Sequence, residues 1–517
     1  MPRQRLLAYD LGTGGIRAAL YDSGASLLSA VSSEYVTRSK EDSWAEQDPE
    51  SWWAAFCRAT REILDKVKPG QSSIAGLSFS GQMMGCLPVD ERGQPLRDCM
   101  IWADRRSLPQ TEELKQRIAE SEYYQITGNK IYPTYPLPKF MWLKATQPEI
   151  YRKTFKFLQP KDFLVCRLTD RLVTDFSDAS GTAAFDFRKG RWAEEVLRVA
   201  GIEPGKLPEI HHSTEVIGHV TSWAAKASGL PEGLPVVLGA GDGPCANLGA
   251  GVYQEGSAYV YLGTSSWVSM AAREPVYDSD MVLFNICSAN PGMVNVFGTM
   301  QMGGGSLLWL RDTVCLVERQ MASLSQKSAY DLMTAQAELS PPGAKGLVFL
   351  PYLRGERSPR WNPNATGAFI GLTANHGRQD LIRSVLEGVI YNLRVIRCAL
   401  RPERPEAQIR QMRVIGGGAQ SPLWRQILAD VFNEKIYTPV MLEGANTLGA
   451  AILAGVGTKV FPDFRICTTV NPIAVTQEPT EDPQIRKRYE TLFAVFNACY
   501  NALLPLFDSF YSGGHSE

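Results

Sequence analysis

Net charge is what this sequence has least of. Its 53 lysines and arginines against 54 aspartates and glutamates leave −1 over 517 residues, and no global field draws such a chain to DNA, RNA or an anionic membrane surface. Uninterrupted apolar runs of about 18 residues are missing as well, so no membrane span is expected. Asp10 interrupts the opening MPRQRLLAYDLGTGG before a signal-peptide core can form. The ten cysteines, scattered from Cys57 to Cys499, contain no CxxC pair; such thiols read as reduced core residues in a cytoplasmic protein. No low-complexity linker divides the chain. Its 44% hydrophobic and 21% charged content is ordinary for a globular protein, and its length calls for several units of roughly 100–200 residues.

What is present is a repeated plan. Residues 5–9 read as a strand, Asp10-Leu11-Gly12-Thr13-Gly14-Gly15 as a turn, and 16–21 as a second strand of a hairpin. Half a chain later, strand 258–262 is broken by Gly263-Thr264-Ser265-Ser266 and followed by apolar residues 267–270. The match suggests two similarly folded halves facing each other, divided near Gly251 into residues 1–251 and 252–517. Helices are expected at 50–67, 423–433, 448–456 (rich in small residues suited to close packing) and 483–509; further strands at 73–79, 235–240 and 411–415. The mixture makes the class α/β.

The turns carry chemistry that suits a triphosphate. Converging backbone N–H groups bind phosphates, glycine permits close approach, and threonine adds a hydroxyl. Gly12, Thr13 and Gly14 in the first half and Gly263, Thr264 and Ser265 in the second have this make-up, although either alone could be an ordinary hairpin turn. Asp10 beside the first turn suits magnesium, and otherwise reads as a solvated turn aspartate. Arg17 could neutralise phosphate or form a strand-surface ion pair. Gly416, Gly417 and Gly418, with Gln420 after them, form a flat backbone surface for a planar ring, or an ordinary strand-to-helix connection; Gln420 and Ser421 could donate to a ligand or cap the following helix. Asp242, flanked by Gly241 and Gly243 at a strand end, could accept a hydroxyl proton during phosphoryl transfer, although Asp-Gly is also a common turn dipeptide.

Taken in order, these motifs resemble the FGGY carbohydrate kinases, members of the larger actin-like and Hsp70-like ATPase superfamily. Asp10-Leu11-Gly12-Thr13 is similar to the family's first phosphate motif and Leu262-Gly263-Thr264-Ser265 to its second. Gly416-Gly417-Gly418-Ala419-Gln420-Ser421 is similar to the adenosine motif, and Gly239-Ala240-Gly241-Asp242 to the segment carrying the catalytic aspartate. Lys161-Asp162-Phe163-Leu164 and Gly355-Glu356-Arg357-Ser358-Pro359 are further family-like stretches. The resemblance implies two ribonuclease H-like (actin-like ATPase) domains related by internal duplication, with ATP and Mg²⁺ in the cleft between them. It implies a sugar or polyol acceptor, no nucleic-acid or membrane partner, and the homodimers common among relatives. A nucleotide-driven conformational protein of the same superfamily is the rival, and lacks a use for a small-molecule pocket.

Within the family the motifs look most like those of xylulose kinases, which implies acceptor contacts at Gln82, Met83, Met84, Trp102, Asp104, Asp242 and Gly243. Two positions depart from that pattern. Met84 stands where those enzymes have histidine, and Gly243 where an asparagine usually follows the aspartate. Losing two polar side chains weakens selection for the original hydroxyl pattern. D-xylulose or a related ketopentose is therefore the first expectation for the acceptor, with another polyol, pentulose or aldonic acid as alternatives.

Overall fold

The structure, a computed structural model, describes residues 4–41, 43–67, 73–401 and 408–512, with the backbone alone at 511 and 512. Among the described residues, two seven-stranded sheets form the frame. In the first, β1 (Arg5–Leu11), β2 (Gly15–Asp22) and β3 (Leu27–Glu34) make an antiparallel meander. The strand β4 (Ile74–Gly81) runs parallel to β1, and β5 (Val216–His219) and β6 (Pro235–Val237) complete the order β5-β6-β4-β1-β2-β3. The short β7 (Ala240–Gly241) pairs beside the end of β4. The single strand expected at 235–240 is thus two pieces. Gly239 breaks it with φ +80°, and a Cβ there would strike the Phe79 backbone.

The second sheet repeats the scheme. Strands β8 (Ser257–Leu262) and β9 (Ser266–Ala272) form its hairpin. Next come β10 (Phe284–Cys287), β11 (Val294–Met300), β12 (Gln411–Ile415), β13 (Ile436–Pro439) and β14 (Ile473–Gln477), in the order β10-β11-β9-β8-β12-β13-β14. With β8 laid on β1, the antiparallel partners β9 and β11 match β2 and β3, and the parallel strands β12 and β13 match β4 and β6. All strands of the first sheet precede Gly251 and all strands of the second follow it.

Helices cover both sheets. The first, α1 (Pro49–Val67), follows Asp48-Pro49 and buries Trp52, Phe56 and Ile63 against Tyr9 and Phe79; each such side chain contributes about 1.5–3 kcal/mol. Five others matter for the site: α2 (Phe176–Gly181), α3 (Asp242–Gly249), α4 (Arg378–Ala399), α5 (Pro422–Phe432) and α6 (Ala445–Gly457). The last, α7 (Pro483–Ser512), is the one described helix long and apolar enough to cross a bilayer, and it turns Tyr489, Phe496, Tyr500 and Phe507 into the second core.

The small-residue helix expected near 448–456 does pack closely, and across the sequence halves. Although α6 follows the second sheet's β13, it lies on β1 and β4 of the first, with Leu448, Ile452 and Leu453 against Leu6 and Ala8. It also meets α3 backbone to backbone. A Cβ on Gly249 would strike the Ala445 backbone, and one on Gly449 the Cys245 backbone.

Candidate active site

Three neighbouring strands end at one level. The register places Asp10 of β1 beside Ser80 of β4, and Ser80 beside Ala240 of β7. Their carboxyl-terminal ends therefore deliver Asp10, Gln82 and Asp242 to one edge of the sheet, where open α/β sheets bind ligands. Asp242 is the first residue of α3, and its Oδ1 accepts the Gly243 N–H at 2.8 Å. Burial first, and then the charge of Asp10, push its carboxyl up to about 7. A carboxylate with that proton affinity is matched to general-base work near neutrality.

Asp10 is half-buried beside it. Ser80 Oγ donates to Asp10 Oδ1 at 2.7 Å, and Asn446 of α6 donates to both oxygens at 3.3 Å. Burial raises this carboxyl too, opposed by those hydrogen bonds and by the charge of Arg17. Magnesium takes one or two protein carboxylates, several waters and phosphate oxygens, and a single half-buried carboxylate at the rim of the cleft fits that pattern. No group of three acidic, histidine or cysteine side chains forms a metal cage among the described residues. Arg17 lies directly across the hairpin from Asp10 and makes no ion pair among the described residues.

The first turn is held from below. Gly12 N–H bonds the Gly15 carbonyl at 3.0 Å, Tyr35 donates to the Gly12 carbonyl, and Gly14 faces solvent. Thr13 accepts twice: its carbonyl from Gln47 Nε2 at 2.7 Å and its hydroxyl from Trp102 Nε1 at 2.9 Å. The second turn has a support that lies outside the phosphate motifs. Gly303 and Gly305 donate to the Thr264 carbonyl at 2.9 Å and Gly304 to the Gly263 carbonyl at 2.7 Å. A Cβ on Gly303 would collide with Ser266 Oγ. Three consecutive glycines at a helix start were the available signal.

Two cavities meet at this second turn and share no lining residue. The larger, about 640 Å³, is lined by Gly263, Thr264, Tyr330, Gly417, Gly418 and Gln420, among others. Gly416 has φ +95°, and a Cβ on Gly418 would come within 2.6 Å of the Trp424 ring; only glycine leaves this surface flat. Gln420 reaches Glu443 at 3.4 Å, whereas Ser421 caps α5 through the Trp424 N–H at 3.2 Å.

The smaller cavity, about 190 Å³, contains Asp242, Gly243, Met83, Met84, Trp102 and Ser265. The second domain adds Arg357, from the family-like stretch 355–359, and Trp267, Phe284, Ile286, Phe297, Thr299 and Gln301, to which no motif assigned a role because their strands and loops arrive from across the cleft. Phe297 explains one departure. A Cβ on Gly243 would stand 3.1 Å from its ring, so the aromatic ring fills space that an asparagine side chain would need. Met84 has φ +64° and is held by Lys139, whose buried Nζ donates to the Met84 carbonyl at 2.9 Å and the Ile101 carbonyl at 2.6 Å. Burial pulls that ammonium down to about 8.

Two expected acceptor contacts lie elsewhere. Asp104 is fully buried behind the cavity: one oxygen takes the Ala45 N–H at 2.7 Å, and both take the Arg106 guanidinium, whose face lies 3.5 Å from the Trp44 ring. Its role in this structure is to fold the loop that presents Trp102. Gln82 is 2% exposed and donates to Gln47 Oε1 at 2.8 Å, while its own Oε1 is buried with no partner among the described residues.

Comparison with known proteins agrees with this architecture. The family model described as the N-terminal domain of the FGGY family of carbohydrate kinases matches residues 5–249, and that of the C-terminal domain matches 258–458. The gluconokinase of Bacillus subtilis (strain 168) is 33% identical over 491 residues, covering 95% of this chain and 94% of that protein. The xylulose kinase of Escherichia coli (strain K12) is 31% identical over 505 residues, covering 97% and 99%. The crystal structure of gluconate kinase from Lactobacillus acidophilus superposes with a TM-score of 0.90 at 27% identity, covering 98% of this chain and 100% of that one. With both halves matched in order, and with duplicated sheets around a common cleft, this chain belongs to the FGGY family of carbohydrate kinases.

Proposed function

We propose that the chain transfers the γ-phosphate of ATP to a terminal hydroxyl of a small open-chain sugar or sugar acid. The adenosine end lies in the larger cavity against Gly417, Gly418 and Gln420, and the phosphates run between the Thr13 and Thr264 turns. Asp10 would hold Mg²⁺, which would supply positive charge to offset that of the phosphates. The acceptor occupies the smaller cavity, where Asp242 takes the proton of the attacking hydroxyl. Arg17 balances charge at the first turn. Closure of the two domains excludes water from the transfer.

The observation that carries this reading is the placement of Asp242. It is the carboxylate poised near neutrality in a cavity that abuts the phosphate turns but is separate from the nucleotide cavity. A purely nucleotide-driven conformational protein has no use for such a second cavity. Relatives named for xylulose and for gluconate leave D-xylulose and D-gluconate as the two leading acceptors. One observation favours the second: Arg357 lines the acceptor cavity, its buried Nε has no hydrogen-bond partner among the described residues, and a guanidinium at that wall suits an acid. A coupled ADP-release screen over D-xylulose, other ketopentoses, pentitols, glycerol and aldonates tests the proposal. ADP release independent of every acceptor would sink it.

A further inference from the structure

The helix α2 sits between the loop that carries the base and the second domain, and is tied to both by serine hydroxyls. At its start, Asp175 is the N-cap: Oδ2 accepts the Ser177 N–H at 2.9 Å and Oδ1 the Asp178 N–H at 3.3 Å. Ser177 Oγ donates its one proton to Asp175 Oδ2 at 2.6 Å. Towards any other partner that oxygen can only accept, and it accepts the Gly241 N–H at 2.9 Å. Gly241 immediately precedes Asp242.

Asp175 is itself locked. Ser213 Oγ donates to its Oδ2 at 2.8 Å. Lys161 Nζ stands 2.9 Å from its Oδ1, 2.6 Å from Asp162 and 3.1 Å from Asp178, and all four of these charged side chains are fully buried. Gly241 has little freedom on its other side either. A Cβ there would collide with the Met83 thioether, and one on Gly181 at the end of α2 would lie 2.7 Å from Met83 Cε. The Met83 side chain is wedged between the base loop and the helix.

At the far end of α2 the tie runs to the second domain. Ser180 Oγ donates to the Ser177 carbonyl at 2.9 Å and accepts the N–H of Cys287 at 2.8 Å. Cys287 ends β10, whose Phe284 and Ile286 line the acceptor cavity. Four residues of helix therefore join the backbone before Asp242 to a strand that forms the opposite wall. β10 is also tied to the first half through Asn285, whose N–H bonds the Gly128 carbonyl at 2.9 Å, but its tie to Gly241 runs through Ser180 and Ser177.

We propose that Ser177 and Ser180 are positioning residues for phosphoryl transfer: α2 is a strut that sets the Asp242 carboxylate according to the position of the second domain. The inference rests on Asp242 acting as the base. The groups facing Asp242 are Asp10 from β1, Tyr259 and Tyr261 from β8, Cys245 on its own helix and Arg357 across the cavity. None of these changes in the variants below.

The test uses the full chain with D-xylulose and D-gluconate as acceptors. Ser177→Ala is expected to lower kcat about 10- to 100-fold, the scale of a misplaced catalytic group, while the KM for ATP stays within about threefold. Freed from its tie, the Asp242 carboxyl reaches water, so the acid limb of the rate profile moves down by about one pH unit or more. Ser177→Thr, which keeps the hydroxyl, is expected to restore most of the rate. Ser180→Ala leaves the Lys161 cluster whole and is expected to lower kcat and raise ATP hydrolysed per acceptor phosphorylated. Wild-type kcat in Ser177→Ala, or a loss with the limb unmoved and no rescue by threonine, overturns the proposal. If Ser177→Ala does not fold, wild-type kcat and coupling in Ser180→Ala overturn it. An infrared pH titration of the Asp242 carboxylate, taken against Asp242→Asn, reads the same placement without turnover. Full activity in Asp242→Asn would sink the base assignment itself, whatever Ser177 does; an inactive Asp242→Asn beside an unaffected Ser177→Ala would sink the strut alone.

Discussion

Replacing the base by its neutral isostere should make this protein inactive and more stable at once. Asp242→Asn keeps an oxygen to accept the Gly243 N–H, so the start of α3 is preserved, and it removes a carboxylate that sits uncomfortably close to Asp10. Raising that carboxyl from 3.8 to about 7 corresponds to roughly 4 kcal/mol at about 1.36 kcal/mol per pH unit. Cleft water screens part of this, and about 2 kcal/mol is the expected gain, or about 4 °C in Tm. The sign follows from proton linkage. Between the ordinary aspartate value and about 7, the folded protein holds a proton that the unfolded chain has released, so wild-type stability falls as pH rises through that window. The advantage of asparagine therefore grows from pH 5 to pH 7 and is flat above it. Glu356, pushed by burial up to about 8, has the same sign but is common to both proteins and cancels. Thermal denaturation of the two proteins from pH 5 to pH 8, beside ADP release, makes the check. A variant less stable than wild type at pH 8, or a difference that does not grow across the window, refutes the electrostatic account of the site.

Three other outcomes follow from the geometry. Gly243→Asn forces the Phe297 ring aside and is expected to lower acceptor kcat/KM about tenfold, with Phe297→Leu in the same chain recovering most of it; steady-state kinetics that show simple additivity argue against the clash. Lys139→Met leaves the buried Met84 carbonyl without its donor among the described residues, while the Ile101 carbonyl keeps the Asp104 N–H, which should cost about 1–3 kcal/mol in a urea titration and raise the KM for acceptor more than that for ATP. Asp10→Asn should raise the Mg²⁺ concentration for half-maximal ADP release at least about tenfold, and an unchanged Mg²⁺ dependence would remove Asp10 from the metal site.

The parts of the site legible in the sequence are those made by consecutive residues. Gly12-Thr13-Gly14 and Gly263-Thr264-Ser265 are local turns, and their strands, the break at Gly241 and the cap at Ser421 all follow from nearest-neighbour chemistry. Legibility ended where a side chain's partner comes from far along the chain. Asp104 beside Trp102 has the look of a ligand contact until Arg106, Ala45 and Trp44 close around it. Gln82 could not be seen to turn towards Gln47, and Arg357, Thr299 and Asn446 reach the cleft only because of the tertiary fold. The split of 235–240 was missed for a different reason: Gly239 continues an apolar run, and only the nearness of the Phe79 backbone demands its positive φ.

The repetition of the two sheets also accounts for how one cleft takes two different ligands. The end of β4 in the first half corresponds to the end of β12 in the second; the former leads into Gln82 on the side proposed for the acceptor, the latter into Gly416 on the side proposed for adenosine. Between them lie the matching hairpin turns, so a phosphate chain running from one half to the other must pass both threonines. The helices that follow the equivalent strands β6 and β13 are α3 and α6, and their contact is reciprocal. Gly249 meets Ala445 as Gly449 meets Cys245, the pattern expected of a twofold relation. Asp242 opens one of the two helices in that contact. Asp242 is therefore held along its helix by α6 and just before its first turn by Ser177, while the cavity walls around it come from both halves, Met83 from the first and Phe284 and Phe297 from the second.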